Sequence, residues 1–113
     1  MKKNMIIVGA GLAGLSAALQ AVKEGCSVKL ISSLPSERAQ SVMAEGGINA
    51  ALNTKGEDDS TQEHYEDTIK AGCNLADPNA VWNMTQAAPE VVKWLHSIGV
   101  CLLYTSPSPR DCS

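Results

Sequence analysis

A chain of 113 residues that is 44% hydrophobic and 19% charged has the composition of a globular segment. Its formal net charge of −3, from 9 basic against 12 acidic residues, argues against a nucleic-acid binder, which needs a basic footprint. Its apolar runs fall far short of the roughly 18 to 20 residues that span a bilayer, and none near the start is long enough for a signal peptide.

The first predicted element is a strand at residues 5–8. Met5-Ile6-Ile7-Val8 is apolar without alternation, the pattern of a parallel strand covered on both faces. Gly9, Ala10, Gly11, Leu12, Ala13 and Gly14 follow, with the glycines at G-x-G-x-x-G spacing. In that arrangement Gly9 permits the tight turn out of the strand. Gly11 lets a pyrophosphate approach the backbone without meeting a Cβ, and Gly14 lets the next helix pack closely. That helix is expected over residues 12–24, with Leu12, Leu15, Leu19 and Val22 along one side and Gly25 as its stop. Its free N–H groups and positive dipole end would face the phosphate.

Ser27-Val28-Lys29-Leu30-Ile31 reads as the second strand, so strand, glycine turn, helix and strand fit within about thirty residues, the size of one βαβ unit. The usual acidic residue that accepts from the ribose hydroxyls is replaced by Ser32-Ser33, which can bond a hydroxyl without charge assistance. No arginine follows directly to take a 2′-phosphate, so NADP is disfavoured. FAD and NAD both stay open on these residues.

Residues 53–62 are polar and glycine-containing, a surface loop whose acidic run Glu57-Asp58-Asp59 reads as solvation rather than metal binding. A helix is expected from Ser60 or Thr61; with Thr61 as the cap, the acidic partner of a capping box is missing. Asp77 and Pro78 are placed as N-cap and first residue of another helix running to about Ala88. Pro89 is expected to start a separate helix, with Val91, Val92, Leu95 and Ile98 as its stripe and Gly99 as its stop. Trp82 and Trp94 are assigned to the core, and His96 to a structural role near the helix end. Cys26, Cys73, Cys101 and Cys112 lack C-x-x-C spacing and the histidines do not pair, so no metal site is predicted. Cys26 and Cys73 are read as partly buried thiols of a reducing compartment.

Beyond these local patterns, Arg38-Ala39-Gln40-Ser41-Val42-Met43-Ala44-Glu45-Gly46-Gly47-Ile48-Asn49-Ala50-Ala51-Leu52 resembles the second FAD-contacting segment of the succinate dehydrogenase and fumarate reductase flavoprotein family. Residues 53–57, residues 63–72, Ala87-Ala88-Pro89 and residues 94–100 match the same family, so the resemblance covers about residues 4 to 100. L-Aspartate oxidase, of the same superfamily, shares much of this pattern. The resemblance implies an α/β, Rossmann-like FAD-binding domain, of which residues 1–100 form the N-terminal part. Its cofactor contacts would come from Gly9 to Gly14, Ser32, Ser33, Arg38, Gln40, Ser41, Ala44, Glu45, Gly46 and Gly47. His64 falls in a matched stretch, where it either lines the flavin region or stands on the surface of an acidic helix.

One departure carries chemistry. The family histidine that bonds covalently to the flavin lies two residues after the arginine, and here that place holds Gln40. An amide nitrogen is too poor a nucleophile for that bond, so FAD is expected to be held noncovalently. That absence, together with Glu45 where glutamine is common, points toward fumarate reduction rather than succinate oxidation.

The resemblance further implies a hydride exchange between flavin and a C4 dicarboxylate, an iron–sulfur partner subunit or another electron donor, and a cytoplasmic location or one at the inner membrane face through partner subunits. The alternatives are L-aspartate oxidase and, of another class, a noncatalytic dinucleotide-binding regulator. No acid/base constellation is visible in residues 1–100, so no catalytic residue is named. The family's substrate-clamping residues would lie in further chain. From Cys101 to Asp111 the sequence reads as the translation of a transposase sequencing adapter, and residues 101–113 are expected to be a non-native tail rather than a Pro/Ser-rich one.

Overall fold

A computed structural model describes residues 2–44, 47–53, 56 and 58–102. The chain forms two compact units, Met1–Gly46 and Gly47–Ser113.

In the first unit, strand β1 (Asn4–Val8), helix α1 (Leu12–Lys23) and strand β2 (Ser27–Ile31) form the expected βαβ unit. The strands pair in parallel, in register from Asn4 opposite Ser27 to Val8 opposite Ile31. Parallel strands need a crossover, and α1 supplies it, packing on both. The chain leaves β1 through Gly9 at φ +112°, a conformation closed to most side chains. The Gly9 N–H donates to the Ile31 carbonyl at 2.7 Å, tying the turn to the end of β2. At the far end of α1, the N–H groups of Gly25 and Cys26 return to the carbonyls of Val22 and Ala21, each at 2.9 Å. That is the Schellman stop foreseen at Gly25.

Burial in this unit departs from expectation. The strands were expected to be covered on both faces, yet Ile6 is 67% and Val8 81% exposed. The reason is geometric: among the described residues a single helix packs on a two-stranded sheet, and one helix covers one face. After β2, a 3-10 turn at Ser36–Arg38 leads into the short helix α2 (Gln40–Met43).

The second unit is a helix pair, α3 (Thr61–Ala71) packed on α4 (Pro78–Ser97). The cap of α3 is Ser60, whose Oγ accepts from the Glu63 N–H at 3.1 Å. With Ser60 rather than Thr61 as cap, Glu63 stands at the third helical position and the S-x-x-E pattern is complete. Thr61 is freed to donate to Gln86 Oε1 on α4 at 2.9 Å. Asp77 caps α4 as expected, its Oδ1 accepting from Asn79 N–H at 2.9 Å with Pro78 at the first position.

The expected break at Pro89 does not occur: α4 is one helix of 20 residues with that proline inside it. Val81, Thr85, Val92 and Leu95 are its buried residues, a helical stripe that runs past the proline. Burial on both sides of Pro89 holds the helix together against the loss of one backbone bond. Thr85 is fully buried, with its hydroxyl donating to the Val81 carbonyl at 3.0 Å. The tryptophans are not core. Trp82 is 42% and Trp94 38% exposed, and Trp82 meets the Tyr65 ring edge to face at 5.2 Å. Gly99 ends α4 as expected, at φ +98°. Cys26 is half-buried and Cys73 exposed, so only the first fits the partly buried reading.

Candidate functional site

Because β1 and β2 run parallel, Gly9 and Ser32 leave the sheet at the same end, where α1 begins. Ligands of such sheets bind beyond the carboxyl ends of the strands. The loop at residues 9–14 therefore stands where a dinucleotide phosphate would sit. Each glycine has a separate geometric requirement. A Cβ on Gly14 would overlap the Gly9 carbonyl oxygen and lie 2.8 Å from its carbon, so α1 approaches the turn as closely as a residue without a side chain allows. Gly11 is different. A Cβ there would meet only side-chain atoms, Ser41 Oγ at 3.1 Å and Ala39 Cβ at 3.9 Å. Ala10, between Gly9 and Gly11, is buried and anchors the turn.

The N-cap of helix α1 is Gly11, which has no capping side chain, and the first turn carries no acidic residue. Its opening N–H groups lack intrahelical acceptors, and no carboxylate of that turn repels an anion. Leu12 N–H donates to Ser41 Oγ at 2.7 Å. The loop and the expected second contact segment thus meet within the first unit through one hydrogen bond. Ser32 Oγ accepts from the Leu34 N–H at 3.4 Å, while Ser33, Arg38, Gln40 and Ala44 are exposed. The loop can take a pyrophosphate: it offers oriented N–H donors, no Cβ at Gly11, and a hydroxyl close by. Gly47 opens the second unit and is exposed, and Glu45 and Gly46 lie outside the described residues.

Sequence reasoning missed a cavity in the second unit. It measures about 490 Å³ and lies beside α3, lined by Asn49, Ala51, Asp59, Glu63, His64 and Asp67 among others. His64 is half-buried there rather than on an open surface, and its Nδ1 is buried without a hydrogen-bond partner among the described residues. Among the described residues that line it, three are carboxylates and none is a lysine or arginine. The signal was present in the spacing of Glu63, His64 and Asp67, which share one helix face. Among the described residues, no group of three or more His, Cys, Asp and Glu is arranged to hold a metal ion. Nor is any helix among them long and apolar enough to cross a membrane.

Comparison with known proteins agrees with this geometry. The chain is 48% identical over 99 residues to the succinate dehydrogenase flavoprotein subunit of Bacillus subtilis (strain 168), a match covering 88% of this chain and 17% of that protein. It is 35% identical over 103 residues to the NADH:fumarate oxidoreductase of Klebsiella pneumoniae (strain 342), covering 88% of this chain and 11% of that one. It is 43% identical over 97 residues to the L-aspartate oxidase of Caulobacter vibrioides, covering 83% of this chain and 18% of the relative. The chain therefore spans under a fifth of the length of each of these relatives. The profile of the FAD binding domain family matches residues 4–111. With a βαβ unit whose glycine loop leads into α1, this chain belongs to the FAD binding domain family and is an FAD-binding region homologous to the succinate dehydrogenase and fumarate reductase flavoproteins.

Proposed function

We propose that the chain supplies the phosphate-binding part of the FAD site in an oxidoreductase that interconverts fumarate and succinate, with FAD held noncovalently. The observation that carries this reading is the start of α1: a side-chain-free Gly11, orphan N–H groups and a nearby hydroxyl at the carboxyl end of paired parallel strands. When bound, FAD supplies the hydride chemistry. This chain's residues hold and orient it. Gly11, Ala13 and Gly14 would offer backbone N–H groups to the pyrophosphate, with the Leu12 N–H between them held by Ser41 Oγ, and Ser32 or Ser33 would offer a hydroxyl to the ribose. Arg38, Gln40, Ser41, Ala44, Glu45, Gly46 and Gly47 would form the second contact segment. Gln40 has only an amide to offer where a covalent link needs an imidazole.

On the same reading, the catalytic and dicarboxylate-binding residues belong to chain outside this one, electrons pass to or from an iron–sulfur partner or another carrier, and the enzyme works in the cytoplasm or at the inner membrane face. Residues 101–113 are taken as a non-native tail. A second reading, L-aspartate oxidase, is favoured by the 43% identity to that enzyme of Caulobacter vibrioides.

The test is made on the full-length protein. It should purify yellow and release its flavin on acid precipitation, leaving no fluorescence on the denatured polypeptide. It should oxidise a reduced dye with fumarate. Flavin retained by the denatured chain would refute the noncovalent site, and oxidation of L-aspartate without fumarate-linked dye turnover would replace the first reading by the second.

A further inference from the structure

Among the described residues, the three long helices begin in two different ways. Ser60 caps α3 and Asp77 caps α4, each from its own side chain. Helix α1 cannot do so, because its N-cap is Gly11. A Cβ at that position would stand 3.1 Å from Ser41 Oγ, so the glycine leaves room for that hydroxyl. Glycine at the N-cap costs a helix only a few tenths of a kcal/mol against serine, but it leaves the first N–H without a side-chain acceptor. Here the missing acceptor comes from 29 residues further along the chain: Ser41 Oγ takes the Leu12 N–H at 2.7 Å.

We propose that Ser41 is a positioning residue of the FAD site, supplying from the second contact segment the capping acceptor that the Gly11 N-cap of α1 lacks. This rests on reading residues 9–14 as the FAD phosphate loop. The cap has two consequences. It orders the first turn of α1 before the ligand arrives, and it ties α2, on which Ser41 stands, to the phosphate loop. A serine hydroxyl accepts through a lone pair and still has its own proton to donate. By accepting from Leu12, Ser41 removes one N–H from the set facing the phosphate and returns one O–H in its place. That O–H is polarised by the bond it accepts, which strengthens it as a donor to an anion. The donor count at the site is conserved, while two segments distant in sequence are clamped together.

The experiment uses the full-length flavoprotein, stripped of FAD and reloaded. In the wild-type apoprotein the Leu12 amide should exchange with solvent more slowly than that of Ala13, which has no cap. Ser41→Ala should speed Leu12 exchange about five-fold, the size of one lost N-cap. It should also weaken FAD binding by roughly ten-fold, since a charge-assisted hydrogen bond is lost with the cap. Ser41→Thr, which keeps the hydroxyl, should restore both. Equal exchange at Leu12 and Ala13 in the wild type, a measurement that needs no variant, would overturn the cap. Faster exchange in Ser41→Ala with unchanged FAD affinity would overturn its role in the site. Failure of the wild type to bind FAD would sink the phosphate-loop reading instead, with the exchange data still deciding the cap.

Discussion

Replacing Gly14 by alanine sets two known effects against each other. Gly14 is the third residue of α1, where helix propensity favours alanine over glycine by up to about 1 kcal/mol. Against this, the new Cβ would overlap the Gly9 carbonyl oxygen and lie 2.8 Å from its carbon and 3.6 Å from Ile7 Cγ2. The obstacle is backbone, and that backbone is held: Gly9 sits at φ +112° and its N–H is bonded to Ile31. Neither rotamer change nor a small local shift clears it, so α1 must move off the strands. Overpacking costs about 1–3 kcal/mol, and a backbone clash lies at the upper end, so a net loss of about 2 kcal/mol is expected. Urea denaturation of the full-length apoprotein measures this, and FAD titration follows in parallel. Gly11→Ala is the control. Its Cβ would meet the Ser41 hydroxyl at 3.1 Å, a side chain that can rotate, so apoprotein stability should change by less than about 1 kcal/mol. FAD binding should nevertheless weaken about ten-fold or more, a loss of at least about 1.4 kcal/mol. Wild-type stability in Gly14→Ala, or a large loss of apoprotein stability in Gly11→Ala, would refute the division of labour between the two glycines.

Two further substitutions test the helix pair. Pro89→Ala returns an N–H to a mid-helix position, and the propensity difference of about 3 kcal/mol, less about 1 for a more flexible unfolded chain, gives roughly 2 kcal/mol of stabilisation in urea melts. A loss of stability would mean that the proline ring contributes packing that its missing bond does not outweigh. Cys73 is exposed and sits at φ +54°, in the left-handed region, so Cys73→Gly should raise the melting midpoint by the equivalent of about 1 kcal/mol; a lower midpoint would show that the thiol makes a contact worth more than the strain.

The local features were legible because they depend on neighbours in sequence. Residues 5–31 spell strand, glycine turn, helix and strand within one short unit, and Gly25 and Gly99 mark helix ends through their own backbone freedom. What escaped depends on distant chain. Proline ends a helix by local rules, but Val81, Thr85, Val92 and Leu95 bury a stripe on both sides of Pro89, and tertiary packing wins. Ser60 is the better cap by type and has Glu63 three residues on, a local signal, whereas the bond from Thr61 to Gln86 on α4 joins distant chain and leaves no such trace. The Leu12 to Ser41 bond joins residues 29 apart and leaves no periodic trace. Strand burial was misjudged for the same reason, since an apolar run encodes a preference for cover without supplying it.

That last mismatch bears on how the 113-residue chain behaves when expressed alone. Among the described residues of the first unit only Ala10 and Ala21 are buried, while Ile6, Val8, Leu19 and Val22 each expose about half or more of their surface. A two-stranded sheet needs further strands or a packed helix to be stable in water, and α1 leaves much of the apolar surface of this one exposed. Parallel pairs in particular occur where both faces are covered. The curated relatives carry several times more chain than this match spans, which offers the cover these faces lack. Chain entropy opposes folding by about 1–2 kcal/mol for every residue ordered, and so few buried apolar side chains do little to offset it. Residues 1–113 alone should therefore bind a hydrophobic dye, unfold over a broad temperature range and show no fumarate or succinate turnover. The helix pair of the second unit, with its buried stripe on α4, should keep far-ultraviolet helical signal after near-ultraviolet signal is lost, as a molten state does. A sharp cooperative transition together with one bound FAD per chain would refute this and make the exposed strand faces a stable feature of a self-sufficient module.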